Sequence, residues 1–174
     1  MEFAILNWMQ TLRAPWLDSF MVFVSSLGNA GALWIVLAAV LLIWPKYRRV
    51  GAILALALVI DLLVCNVIIK PIVARPRPYD LNTAMEYLIA RPHGWSFPSG
   101  HTAASFASVA ALYWGRFRYW IIFGVLAVLI GVSRLYLYVH FPTDVLGGVV
   151  VGLLCGTAGY GIVRAVEKHR EKAR

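Results

Sequence analysis

The sequence predicts an all-α protein, a polytopic membrane helix bundle, and three observations predict it. Apolar residues make up 61% of the 174 residues, the mean hydropathy is +0.75, and only 14% are charged. The apolar residues fall into long, nearly uncharged runs. The basic residues gather in the short gaps between those runs. A soluble domain is about half apolar and about a quarter charged. A soluble core of this size cannot bury the excess, and a bilayer is the solvent that accepts it.

The chain reads as one domain, 1–174, with an N-terminal segment, a core bundle over 28–164 and a basic tail over 165–174. Residues 3–27 hold a short amphipathic stretch, Pro15, and then Phe20 to Leu27. They read as a sixth, broken span or as an interfacial helix. Met1-Glu2-Phe3 has no basic region, so a cleaved signal peptide is not expected. No charge occurs from Ser19 to Pro45, and Val50 to Ile69 is interrupted only by Asp61. Gly94 to Gly115 lacks Asp, Glu, Lys and Arg, as do Tyr119 to Ser133 and Val145 to Val163. A helix needs about 20 residues to cross the hydrocarbon. Five spans follow, near 28–44, 50–69, 99–115, 119–138 and 143–164.

Details within the runs agree with this reading. Trp8, Trp16, Trp44, Trp95, Trp114 and Trp120 fall at run ends, where an aromatic belt belongs. Gly148, Gly152 and Gly156 repeat every four residues and give one smooth helix face. That face is read as packing inside the bundle in preference to a homodimer contact. Cys65 and Cys155 lie inside apolar runs and read as small buried hydrophobes, not as a disulfide or a metal pair. Asp61 and Asn66 read as hydrogen-bonding groups between helices.

The net charge of +8 invites a nucleic-acid reading, and the placement of the charge excludes it. Lys46, Arg48 and Arg49 form one cluster, Arg116 and Arg118 a second, and Arg164, Lys168, Arg170, Lys172 and Arg174 a third. Two spans separate successive clusters, so all three fit on one side of the membrane. The positive-inside rule makes that side cytoplasmic, with the C-terminus on it. Loops near 70–98 and 139–142 then face outward together.

Those two loops and their flanks carry the unusual residues. Lys70 to Pro78 places Lys70, Arg75 and Arg77 just beyond a span, with prolines that stiffen the chain. Snorkelling explains one such base, not three on the disfavoured side. Clustered, stiffly held cations suit a dianion such as phosphate. Pro98-Ser99-Gly100-His101 opens a membrane helix, whose free N–H groups and dipole favour an anion. Ser99 also suits a plain helix cap. Arg134 lies within an apolar stretch, where a charge calls for a partner, cavity or ligand. His140 precedes Asp144 by four residues, with Pro142 set to start the next helix. A carboxylate there can hold one ring nitrogen and leave the other free to attack.

These three segments resemble the signature of the type 2 phosphatidic acid phosphatase superfamily, which membrane lipid phosphatases share with vanadium haloperoxidases. Lys70 with Arg77-Pro78, Pro98 to His101, and Ser133-Arg134 with His140 and Asp144 match its three motifs in order. The resemblance covers roughly 50–160 and implies a short bacterial member. It implies that His140 is the nucleophile, forming a phosphohistidine, that Asp144 orients it, and that His101 is the general acid and then base. Lys70, Arg77, Arg134, Ser99 and Gly100 would bind the phosphoryl oxygens. It implies no metal and no other cofactor, and a site at the extracytoplasmic face of a bacterial cytoplasmic (inner) membrane. It implies a lipid phosphate substrate, such as phosphatidylglycerophosphate, undecaprenyl diphosphate, lipid A 1-phosphate or phosphatidic acid. The partners are then that lipid and the bilayer, with no nucleic acid and no obligate protein partner. Arg75, Tyr79, Arg91 and Trp95, with Glu86, Tyr87 and His93, are expected as headgroup contacts or as parts of a lid. The rival is a non-catalytic protein that binds or transports a lipid phosphate.

Overall fold

The computed structural model describes residues 1–83 and 87–173, and among them every regular element is helical. Glu86 and Arg174, both singled out above, lie outside the described residues. Helix α1 spans Glu2–Thr11 and α2 spans Pro15–Leu27, with Pro15 at the first position, where its missing N–H costs nothing. A short 3₁₀ turn, Asn29–Gly31, leads into α3, Ala32–Ile43. Ala30 and Gly31 take positive φ, and α2 and α3 meet at 45°. The expected boundary near residue 28 coincides with this break.

Helix α4, Arg48–Asp61, continues as a π-helical stretch, Leu62–Ile69, into the single turn α5, Lys70–Val73. Pro71 explains the wide turns. In a regular α-helix its ring would clash with the carbonyl of Val67 and withhold a hydrogen bond. Ala74, with φ 46°, ends the rod. The short α6, Pro78–Leu81, is tied down by the Arg77 backbone N–H, which donates to Asp80 Oδ2 at 3.0 Å. Then come α7, Gly100–Trp114, α8, Trp120–Tyr136, and α9, Pro142–Lys172.

By length and composition, the helical segments Pro45–Leu81 and Pro142–Lys172 suffice to cross a membrane, and the bent α2–α3 pair, counted as one span, gives a third. Helix α8 is apolar but shorter. Helix α9 does not stop near 164. It runs on through the basic tail, where Arg49 donates to Glu167 at 2.8 Å. The outer faces of the bundle carry exposed Ile35, Val36, Val40, Ile121, Ile122, Val125, Val150 and Leu154. Exposed apolar surface of that extent is stable only against lipid or a partner.

The centre of the bundle is α7, packed against α4, α8 and above all α9. Its buried face is built from small residues, Ala103, Ser105, Ala107, Ser108, Ala110 and Ala111. The glycine face of α9 meets it. A Cβ on Gly148 would fall 2.8 Å from the Ser99 carbonyl oxygen, and one on Gly152 only 2.3 Å from that of Ala103. One on Gly156 would fall 2.4 Å from that of Ala107. The glycine repeat thus serves packing inside the bundle, as the sequence suggested. Cys65 and Cys155 are buried free thiols.

This contact predicts the effect of one methyl group. Gly152→Ala drives a Cβ into backbone that cannot step aside, and the detergent-solubilised protein should lose about 1–3 kcal/mol, several degrees in Tm. Gly161→Ala, with nothing within 4 Å of its Cβ, should melt as the parent does. Equal melting of both variants would contradict the account.

Candidate active site

The three segments that stand apart in the sequence converge on one cavity of about 760 Å³. Lys70, Arg77, Gly100, His101, Arg134 and His140 line its polar end. Ile35, Ala38, Ala39, Leu42, Leu58 and Val59, from α3 and α4, line the apolar remainder.

Each cation reaches the cavity differently. Lys70 follows the π-helical stretch and approaches the start of α7, where a Cβ on Gly100 would lie 3.5 Å from its Nζ. The absence of a side chain at Gly100 makes that approach open. Arg77 is anchored by carbonyls. Its Nε donates to Gly94 O at 2.8 Å, Nη1 to Val139 O at 3.0 Å and Nη2 to His93 O at 3.4 Å. Arg134, in the last turn of α8, donates through Nη1 to Ser25 Oγ on α2, and its buried Nε has no partner. Among the described residues, none of these three cations forms a salt bridge.

His140 sits in the turn between α8 and α9. Tyr138, with φ 59°, reverses the chain there, in a conformation a non-glycine residue takes only under tertiary constraint. Arg77 Nη1 lies 3.2 Å from His140 Nε2. A guanidinium has only donors, so Nε2 accepts and the ring proton belongs on Nδ1. Nδ1 faces Asp144 Oδ2 at 3.6 Å and Ser96 Oγ at 3.4 Å. Asp144 is fully buried in the first turn of α9 and accepts from three donors. Ser96 Oγ donates to its Oδ2 at 2.5 Å, the Phe141 N–H donates to the same oxygen at 2.8 Å, and Arg75 Nη1 donates to Oδ1 at 2.7 Å. Arg75 is held in turn by Glu2 of α1, at 2.5 Å. Glu2 also accepts from the Thr143 N–H and hydroxyl.

His101 is on the first turn of α7, against Gly28, where a Cβ would lie 2.7 Å from its ring. Its Nε2 donates to Asn29 Oδ1 at 3.0 Å. Ser99 occupies the helix N-cap position, but its side chain makes no cap bond and instead accepts from Thr102 Oγ1 at 2.9 Å. Its backbone N–H donates to the Asp144 carbonyl at 3.0 Å, which ties the second motif to the third.

Three of the expected headgroup residues make contacts within the protein. Arg75 holds Asp144, Tyr79 is buried and donates to Pro92 O at 2.5 Å, and Arg91 lies over the Tyr87 ring at 4.4 Å. Trp95 is exposed. Of the loop, Pro92 and His93 reach the cavity lining. Ser96, Asn29, Ser25 and Glu2 escaped the sequence reading. Small polar residues in loops and at helix ends carry no spacing signal, and only the fold brings them to Asp144, His101, Arg134 and Arg75. A single clue was available for Glu2, an acid at the start of an otherwise uncharged stretch.

Burial pushes the His140 imidazole well below its ordinary value, and the hydrogen bond to Asp144 opposes this only in part. The folded protein therefore keeps His140 neutral. A group of depressed pKa contributes stability above its unfolded value, near 6.5, and loses it as the pH falls toward the folded value. The empty protein should lose Tm progressively below about pH 6.5. His140→Asn should flatten that slope, and an unchanged slope would contradict a neutral, buried His140.

Comparison with known proteins finds relatives over most of the chain. Residues 46–168 match the PAP2 superfamily. The chain is 33% identical over 151 residues to an undecaprenyl-diphosphatase of Sulfolobus acidocaldarius, covering 86% of this chain and 71% of the relative. It is 33% identical over 174 residues to phosphatidylglycerophosphatase B of Bacillus subtilis, covering 92% and 82%. The crystal structure of Aquifex aeolicus LpxE superposes with a TM-score of 0.78 at 31% identity, covering 91% of this chain and 93% of that one. The match spans all three motif segments that line the cavity, and the chain belongs to the PAP2 superfamily.

Proposed function

We propose that the chain is a metal-independent phosphatase of membrane lipid phosphates, working through a phosphohistidine. The observation that carries this reading is the cavity itself. Three cations and two histidines stand at one end and apolar helix walls at the other. That arrangement fits a phosphate joined to a hydrocarbon chain.

The chemistry follows from the hydrogen bonds. Arg77 donates to His140 Nε2. An entering phosphate takes over the guanidinium and frees the Nε2 lone pair, while Asp144 and Ser96 keep the proton on Nδ1. Nε2 then attacks phosphorus in line. The P–N bond forms, the P–O bond to the lipid breaks, and the lipid oxygen takes a proton from His101. In the second half, water gives a proton to His101 and attacks phosphorus. The P–N bond breaks, and inorganic phosphate leaves. Lys70, Arg77 and Arg134 hold the phosphoryl oxygens throughout, and phosphoryl transfer is catalysed mainly by such positioning and charge. Ser99 acts through backbone geometry, and Gly100 gives room to Lys70.

The reading extends to the membrane. The proposed topology has five spans, or six with the N-terminal helices, with the basic ends of α4, α8 and α9 in the cytoplasm and the site at the outer face of the cytoplasmic membrane, and the positive-inside rule supports it. A lipid arrives there by lateral diffusion, and its apolar part stays in the bilayer. Phosphatidylglycerophosphate, undecaprenyl diphosphate, lipid A 1-phosphate and phosphatidic acid all meet these requirements.

Phosphate release by the purified protein in detergent tests the proposal. Release from at least one of these lipids should persist in the presence of a chelator. His140→Ala should reduce it by at least about a thousandfold with the fold intact. Binding without any release would establish the non-catalytic alternative, and release that requires a divalent ion would overturn the metal-free mechanism.

A further inference from the structure

Asp61 is the one acidic residue that lines the cavity among the described residues, and the mechanism above leaves it unused. It ends α4, where Leu58, Val59 and Leu62 line the same apolar wall. Its side chain is 3% exposed, and its Oδ1 has no hydrogen-bond partner. A buried carboxyl oxygen without a donor, on a residue that lines an apolar cavity, is costly, and native structures rarely keep one idle. The sequence suggested hydrogen bonding between helices. Among the described residues, no helix supplies a donor to Oδ1.

The depth of Asp61 is set by its helix. It precedes Lys70 by nine residues, at most about 13 Å along the rod. Asn66 lies between them, its Oδ1 3.2 Å from where a Gly100 Cβ would stand, and so belongs to the phosphate end. A lipid whose phosphate contacts Lys70 therefore presents its chain, not its headgroup, to Asp61. Plain hydrocarbon offers nothing to the orphan oxygen. A hydroxyl or amide N–H on that chain satisfies it.

We propose that Asp61 is a specificity residue that accepts a hydrogen bond from a donor on the buried part of the lipid, roughly eight bonds or about 10 Å from the phosphorus. The substrate class is then a lipid phosphate with hydroxylated or amide-bearing chains, favoured over one with plain acyl or prenyl chains. The inference rests on the phosphatase reading and narrows it.

The probe is a pair of phosphatidic acids, one with hexadecanoyl chains and one with β-hydroxyhexadecanoyl chains, presented in the same detergent. Wild type should favour the hydroxylated lipid by about tenfold in kcat/KM. Asp61→Leu, which replaces the orphan carboxyl by an apolar group of similar volume, should bring that ratio to unity. Asp61→Asn, which keeps an acceptor oxygen, should retain part of it. Equal use of both lipids by wild type overturns the inference and leaves the phosphatase reading standing. A preference that survives in Asp61→Leu overturns it too. Failure to hydrolyse either lipid, or any other lipid phosphate, removes both readings together.

Discussion

Three positive charges at one end of a cavity, none of them in a salt bridge among the described residues, are the constraint on which the rest of this structure depends. Lys70, Arg77 and Arg134 line one end of a cavity, and none of them forms a salt bridge among the described residues. An unpaired charge in such surroundings is expensive. The fold offsets the cost with neutral acceptors that hold the guanidinium groups without cancelling their charge. Arg77 rests on the carbonyls of Gly94 and Val139, and Arg134 on a single serine hydroxyl. Asp144, beside His140, is diverted to Arg75 and Ser96, outside the cavity lining, and Asp61 stands on the α4 wall. The cavity stays cationic and suits a dianion.

Helix packing makes this arrangement rigid. The glycine face of α9 lies on the backbone of α7, so the start of α7 and the start of α9 cannot move apart. The Ser99 N–H bonds the Asp144 carbonyl across that joint. His101 and His140 thereby belong to one frame, although they are far apart in the sequence. The N-terminal helices close the frame from the other side. Glu2 of α1 holds Arg75, Ser25 of α2 holds Arg134, and Asn29 holds His101. The segment that looked least informative in the sequence touches three of the functional side chains.

The legible and illegible parts divide along physical lines. Hydrophobic run length gave α7 and α8 to within a few residues, because lipid imposes a length on each, but it missed the end of α9, where the helix continues through the charged tail to Lys172. Lys70, Arg77, His101, Arg134 and His140 were legible as charges or imidazoles where solvation disfavours them. Asp144 was legible by its helical spacing from His140. Ser96, Asn29 and Glu2 were not, because their roles depend on contacts that no local pattern announces. The bend between α2 and α3 was hidden for a related reason, since both halves are apolar and a change of direction leaves no mark on hydropathy. The π-helical stretch was foreshadowed only by Pro71. Arg75 was visible as an extra cation, but its task of holding Asp144 required the fold.

The central claim is that these cations are kept for the ligand at the expense of the empty protein. The most direct measurement compares wild type with Arg134→Met, reading the Tm of the empty protein and the Kd of orthovanadate. Methionine keeps the volume and removes a buried charge whose Nε is unpartnered. The account predicts that the empty variant melts at the same temperature or higher, while vanadate binds at least about a hundredfold more weakly. A variant that melts lower yet binds vanadate as wild type does would show that Arg134 is a structural residue, and would contradict the account.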